Sequence, residues 1–199
     1  MPHPDALIWD DRYSNDVRWR DLNSPRPLLV SHLELLPRDG FVLDVACGTT
    51  PTGLHLARQG WRVIALDVST VALRIAHSKV REEGLPVSFA VMDLTNPWLT
   101  PDRFEVILNF YYSSRPLWRT YREALKPGGL LFFETFVRDD SFSAETDGNL
   151  LFYLEPDELK STFKGWQIIH YEETYRVSRS MHQQNKPRRI AQLVARKPE

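Results

Sequence analysis

The sequence predicts a doubly wound α/β fold: a seven-stranded, mostly parallel sheet with an antiparallel hairpin at its carboxyl-terminal end. Three observations carry that expectation. Short apolar runs of strand length alternate with helix-like segments from residue 41 to residue 136, the pattern of parallel strands joined by crossover helices. The runs are apolar at successive positions rather than at every second one, as strands covered on both faces are. The last two strand-like segments follow each other with no helix between them, so they pair antiparallel at one edge.

Residues 1–23 are polar but carry Trp9, Tyr13 and Trp19, too many rings for a purely disordered tail. Ser24-Pro25-Arg26-Pro27 opens a helix-like stretch in which Leu28, Leu29, Leu33 and Leu36 recur at roughly three to four residues until Pro37 stops it. Residues 41–46 read as a first strand with a single acid, Asp44. Residues 51–59 read as a helix closed by Gly60, and residues 61–67 as the second strand. Ser69 suits the N-cap of a helix that runs to Glu83, with Gly84 as its terminator. Residues 87–92 and 104–110 supply strands three and four on either side of a turn-rich stretch at Asn96-Pro97. Then come a helix over 116–126, a turn at Lys126-Pro127-Gly128-Gly129, a strand over 130–136 and a last helix over 156–163. Strands over 166–176 and 188–196 close the chain, joined by a polar loop containing Gln183 to Pro187.

At 199 residues the chain suits one domain, with residues 1–37 as an amino-terminal lid and helix segment and 38–199 as the core. Twenty-five Lys/Arg against 26 Asp/Glu give a formal charge of -1, which excludes a strongly basic nucleic-acid coat and an acidic solvating tail. The balance is uneven, since residues 160–199 hold nine Lys/Arg and three Asp/Glu. A single cysteine, Cys47, cannot form an internal disulfide, and the six histidines never fall at metal-ligand spacing, so no metal is expected. The first residues lack a basic-then-apolar leader and no window approaches eighteen apolar residues. A soluble cytoplasmic protein with no membrane partner is the expectation, and no residue pattern specifies an oligomer.

In such a sheet, ligands bind outside the carboxyl ends of the strands near the switch in strand order. Those positions hold Asp44-Val45-Ala46-Cys47-Gly48-Thr49, Asp67, Asp93 and Asn109-Phe110-Tyr111-Tyr112. An acid ending strand two, 23 residues after Asp44, accepts two hydrogen bonds from vicinal ribose hydroxyls. Competing sites are missing. No Gly-x-Gly-x-x-Gly occurs, Gly48 to Gly53 has P-loop spacing but is followed by Leu54-His55, and no Gly-x-Ser-x-Gly elbow supplies a hydrolase nucleophile. Cys47 reads as a small buried turn residue rather than an activated thiol.

Together with Leu125-Lys126-Pro127-Gly128-Gly129, this order resembles the class I S-adenosylmethionine-dependent methyltransferases, over roughly residues 28 to 196. The resemblance implies a Rossmann-like fold and S-adenosyl-L-methionine as cofactor. It puts Asp44 near the methionine amino end, lets Ala46, Cys47 and Gly48 bring backbone close to the cofactor, and sets Asp67 with Val68 at the ribose. Asp93 would accept from the adenine amino group between Met92 and Leu94, and Asn109 would lie near the methionine moiety. Ala46 and Thr50 stand where the family's acid-x-Gly-x-Gly-x-Gly turn has its first and third glycines. A β-branched Thr resists φ > 0, so the turn is expected to differ locally. Trp9-Asp10-Asp11-Arg12-Tyr13 is similar to a segment of the tellurite-resistance and thiopurine methyltransferases, which act on small soft nucleophiles. There the amino-terminal segment folds over the cofactor as a lid, which implies a cofactor-facing role for Trp9 and Tyr13.

Methyl transfer from a sulfonium is an in-line displacement, so positioning and desolvation are the protein's main tasks. Tyr111, Tyr112 and Arg115, with Ser113, follow strand four on the ligand side and are the candidate catalytic residues, Arg115 as a bidentate holder of an anionic acceptor. Asn109-Phe110-Tyr111-Tyr112 partly resembles the Asn-Pro-Pro-Tyr motif of amino-group methyltransferases but lacks both prolines. The cluster of Arg176, Arg179, Lys186, Arg188 and Arg189 reads as a solvated strand edge rather than a nucleic-acid surface. The expected function is therefore adenosylmethionine-dependent methyl transfer to a small-molecule acceptor. The alternatives are a non-catalytic adenosylmethionine-binding module and an RNA or protein amino-group methyltransferase.

Overall fold

A computed structural model describes residues 3–140, 152–177 and 187–199. Its centre is one seven-stranded sheet in the order β3-β2-β1-β4-β5-β7-β6. The strands are β1 (Phe41–Val45), β2 (Arg62–Asp67), β3 (Val87–Val91), β4 (Phe104–Phe110), β5 (Leu125–Phe136), β6 (Gln167–Val177) and β7 (Pro187–Arg196). The first five pair in parallel, and β7 lies antiparallel to both β5 and β6, so the expected edge hairpin is present. Strand order reverses between β1 and β4. The crevice at their carboxyl ends is the switch point at which sheets of this kind take ligands.

Both faces of the sheet are covered, which explains the nearly continuous apolar runs. Leu43, Val45, Ile107, Leu131 and Phe133 pack on one face against Leu117 and Tyr121 of α6 (Arg115–Ala124) and Leu159 of α7 (Glu158–Thr162). Val42, Val63, Val106, Leu108 and Phe132 pack on the other against Leu29 of α3 (Pro27–Val30), Leu56 of α4 (Pro51–Ala57) and Leu73 of α5 (Thr70–Glu83). As expected, Ser69 caps α5, its Oγ accepting from Ala72 N at 3.1 Å, and Gly84 ends it in the left-handed conformation at φ 65°. Among the described residues no helix is long and apolar enough to cross a membrane.

Three boundaries differ from the sequence expectation. The stretch after Pro27 is not one helix: α3 stops at Val30, and a 3₁₀ turn follows at Leu33–Leu35. Ser31 Oγ turns back to the Pro27 carbonyl at 3.0 Å and His32 Nδ1 to the Leu28 carbonyl at 2.9 Å, side-chain competition that bends and ends short helices. Residues 126–129 are no separate turn but an irregularity inside β5, because Leu125 already pairs with Phe104 before the register shifts to Leu130 opposite Val106. The amino-terminal segment is helical, with α1 (Pro4–Asn15) and α2 (Val17–Arg20). Proline at the first position of α1 and His3 accepting from Asp5 N at 3.2 Å are the start signals, legible in the sequence but unread.

Candidate functional site

The turn after β1 keeps the backbone the sequence argued against. Ala46, Gly48 and Thr50 lie at φ 50°, 55° and 48°, so all three alternating positions are left-handed although two carry a Cβ. Non-glycine residues in this region cost on the order of 1–3 kcal/mol each. What holds Thr50 there is its hydroxyl, which donates to Asp44 Oδ2 at 2.7 Å. Gly53, one turn into α4, has no side chain to push that carboxylate away: a Cβ there would sit 3.0 Å from Asp44 Oδ2. The expectation that Thr50 resists φ > 0 is therefore corrected: Thr50 takes the left-handed conformation while its side chain bonds the strand-end acid.

Asp44 is fully buried. Burial raises its carboxyl to about 7 against the lowering by the Thr50 hydroxyl and the Gly53 amide, and neighbouring Asp67 raises it further. Asp67, ending β2, is also buried and raised for the same first reason. Its Oδ2 accepts from Gly48 N at 2.7 Å and its Oδ1 from Ser69 N at 2.8 Å, so it ties the β1 turn to the start of α5. Asp93 is half-exposed and closes a small turn, accepting from Thr95 N at 2.8 Å and Thr95 Oγ1 at 2.7 Å; those bonds hold its carboxyl below the usual range. Val68 and Met92, between Asp67 and Asp93 in the chain, are partly buried and Leu94, just after Asp93, is buried, with Met92 N bonded to the Asp67 carbonyl at 3.0 Å. Cys47 is buried, and burial together with Asp67 and Asp44 pushes its thiol up, which removes it as a thiolate nucleophile.

Helix α1 lies across these loops and packs on α5. Asp10 accepts from Ser69 Oγ at 2.6 Å, Val71 N at 3.0 Å and Thr70 Oγ1 at 3.2 Å, capping α5 from a distant segment. Tyr13 is buried with its hydroxyl in front of Gly48, where any Cβ would collide with it. His3 Nε2 stands 3.8 Å from Asp93. Trp9 packs instead against Trp19 at 5.2 Å and Tyr13 at 6.0 Å, an anchoring contact within the segment.

The strand-four candidates separate. Tyr111, at φ 60°, turns toward β5: its ring meets Phe136 at 4.8 Å and its backbone N donates to the Glu134 carbonyl at 2.7 Å. Tyr112 turns the other way, toward Phe152 and the acids Asp5, Asp93 and Asp67, and burial pushes its phenol up to about 12. Asn109 is wholly buried, its Nδ2 donating to the Tyr121 hydroxyl at 2.9 Å and its Oδ1 without a partner; Ser113 Oγ is likewise buried and unpartnered. Arg115 is engaged within the chain. Its Nε and Nη2 are 2.6 and 2.8 Å from the two oxygens of Glu158, a bidentate pair that uses the fork the sequence reading reserved for an anion.

Sequence reasoning missed Arg26, which it took only as part of a helix opening. Its guanidinium stacks on Tyr111 at 4.7 Å and makes no ion pair with any described residue, yet its charge reaches Asp44, Tyr13 and Tyr111. A cation unmatched beside buried acids and next to the switch point suits an anionic ligand group. The basic cluster is also reread. Arg188 is buried and Arg189 pairs with Glu173 at 2.7 Å, so these two serve the fold, whereas Arg176, which donates to Gln192 at 3.2 Å, is exposed on the edge strand β6 as expected. Arg179 and Lys186 lie outside the described residues.

Residues 42–129 match the family described as a methyltransferase domain. A ubiquinone biosynthesis O-methyltransferase of Brucella anthropi is 30% identical over 60% of this chain and 46% of that protein. A tRNA N(3)-methylcytidine methyltransferase of Drosophila melanogaster is 27% identical over 77% of this chain and 56% of that protein. The chain spans about half the length of the curated relatives it matches. Among solved structures, TehB from Haemophilus influenzae superposes with a TM-score of 0.76 at 19% identity, over 95% of this chain and 67% of that one, which establishes the shared fold.

Proposed function

From the match of residues 42–129 to the methyltransferase-domain family, we propose that this chain is a class I S-adenosylmethionine-dependent enzyme that moves the methyl group to a small-molecule acceptor. The observation that supports it best is the convergence of Asp44, Asp67 and Asp93 at the carboxyl ends of β1 to β3, beneath one helix. The residues present fit the cofactor. Asp67 has lone pairs left for ribose hydroxyls, Arg26 is free to meet the amino-acid carboxylate, and the raised carboxyl of Asp44 is set to ionise beside a cationic ligand.

Bound there, the cofactor supplies an activated methyl group on a sulfonium. The chain's own work is to orient and to exclude water. The left-handed turn at 46–50 brings backbone amides close, and α1 covers the crevice. Tyr13 fills the space in front of Gly48, so admission of the cofactor displaces that ring, and Asp10 is the tie that returns α1 to α5. A small acceptor is favoured because the described arginines near the hairpin are engaged internally rather than offered to a nucleic-acid backbone. Calorimetry with adenosylmethionine, followed by methyl-label transfer to a panel of phenols, amines, thiols, selenite, tellurite and transfer RNA, tests the reading. Binding and transfer to a small acceptor are expected. No heat at millimolar cofactor, or label on RNA alone, overturns it.

A further inference from the structure

His32 and His170 lie far apart in the chain, beyond any ligand spacing legible in the sequence. The fold sets their rings 5.1 Å apart, centroid to centroid, with the planes tilted by 57°. Local features aim each ring. His32 follows α3, and its Nδ1 lies 2.9 Å from the Leu28 carbonyl, one helical turn back. A carbonyl only accepts, so Nδ1 carries the hydrogen of the neutral ring and the lone pair is left on Nε2. His170 stands in β6 at an irregularity of the ladder, where the register shifts between Ile168 and His170. A bulge of this kind re-aims a side chain, and here His170 meets the strap formed by α3 and the turn after it.

The Nε2 of His170 is buried and has no hydrogen-bond partner among the described residues. Buried polar atoms are nearly always bonded, and an orphan marks a place for a water or an ion. Two imidazoles on one tetrahedral centre, with metal–nitrogen bonds of ~2.0–2.1 Å, hold their ring centroids about 5 Å apart. That is the separation between His32 and His170. The bond from His32 Nδ1 to a backbone carbonyl is the outer support that ligating histidines have, since it fixes both tautomer and ring direction. Burial, then the charge of His32, lowers the pKa of His170 against the opposing charge of Glu172, which favours the neutral ring that metals bind.

Among the described residues no group of three His, Cys, Asp or Glu is gathered closely enough to hold a metal by itself. Glu172 is the nearest reserve. Two residues beyond His170 on the same face of β6, it is exposed, and its ion contact is a loose 3.9 Å to Arg176. We propose that His32 and His170 form a binding site for a divalent transition metal, zinc first, with Glu172 swinging in and water taking the remaining positions. Nitrogen donors at tetrahedral spacing favour zinc over calcium and magnesium, which take oxygen. An ion held there pins the end of the α3 strap to the edge strand β6, while Arg26 at the start of that strap stays at the switch point. Two strands, β5 and β7, separate β6 from β4, so the site is distinct from the cofactor crevice and does not depend on the methyl-transfer reading.

The test is calorimetry of the chelator-treated full chain with zinc chloride at neutral pH, without cofactor. One equivalent binds with micromolar affinity, and His32→Ala and His170→Ala each weaken it by about 100-fold, Glu172→Gln by about tenfold. His3→Ala and His55→Ala leave it unchanged. Zinc raises the Tm of the parent chain and not that of His32→Gln or His170→Gln, two variants that keep a polar side chain should the alanine forms fold poorly. Cobalt(II) in place of zinc gives the visible spectrum of a tetrahedral, nitrogen-bound centre in the parent chain alone. Heat only at millimolar zinc, full affinity in either His32→Ala or His170→Ala, loss of binding in His3→Ala or His55→Ala, or the spectrum of hydrated cobalt each overturn the site.

Discussion

The two sides of the switch point are built differently. The β1–β3 side holds most of its polar groups by short-range chain geometry, with Thr50 bonding Asp44 six residues away, Thr95 bonding Asp93 two away and Ser69 bonding Asp67 two away, and only Gly48 to Asp67 and Ser69 to Asp10 reach further. The β4–β5–β7 side holds its groups by long-range register, Glu134 to Gln192 across 58 residues and Arg115 to Glu158 across 43. The first side, built largely from local turns, carries Ala46 and Thr50 at left-handed φ, with the Thr50 hydroxyl bonded to Asp44. The second side, built from register, is decided by how the closing hairpin docks.

The largest expected consequence is a pH dependence confined to the first side. Asp44 is raised to about 7 in the folded chain, above its unfolded value, so its contribution is fully present below about pH 4 and is lost as pH rises from there to about 7. The loss is on the order of 4 kcal/mol. Asp67, raised as well, adds in the same direction. Denaturation midpoints measured across pH 4–8 read this slope, and Asp44→Asn flattens most of it. An unchanged slope in that variant means that Asp44 is not the titrating group.

Next in size, Asp67→Ala removes the acceptor of two backbone amides and of the ribose, and adenosylmethionine affinity drops about 100-fold by calorimetry. The contrast between the two sides sharpens if Tyr111→Phe leaves that affinity alone, and breaks if the two variants bind equally badly. Arg26→Ala lies between them. It weakens adenosylmethionine about tenfold but spares 5′-methylthioadenosine, which lacks the carboxylate; equal loss for both ligands makes Arg26 a packing residue only. The smallest effect is Ala46→Gly, which relieves a left-handed Cβ and raises stability by ~1 kcal/mol, seen as a higher Tm. A lower Tm means that the Ala46 methyl contributes more by packing than its backbone costs.

Much of the first side was legible. Acids directly after apolar runs announce strand ends, and Asp44, Asp67 and Asp93 stand where the alternation of elements places them. Gly48 was legible for the same reason, whereas Thr50 was misjudged because propensity alone does not count a hydroxyl bonded to an acid six residues back. On the second side, Tyr111 and Tyr112 were found, but adjacent residues point apart and only the left-handed φ at Tyr111 tells which one meets β5. Glu134 was visible as a lone acid in a buried strand, a signal that went unused. Nothing local to Arg115 reveals that α7 brings Glu158 to it.

By itself, then, the sequence determined the alternation of strands and helices, the parallel sheet with its antiparallel edge, and the acids at the carboxyl ends of β1 to β3. Those features depend on residue periodicity and on neighbours a few positions away, and local chain stiffness transmits them directly. Only the tertiary structure decided that Tyr13 and Asp10 close over the crevice, that Arg26 stays unmatched while Arg115 is taken, and that Glu134 meets Tyr111 and Gln192. Each of these rests on segments tens of residues apart, and strand register and helix docking, fixed by burial of both sheet faces, choose which charges meet.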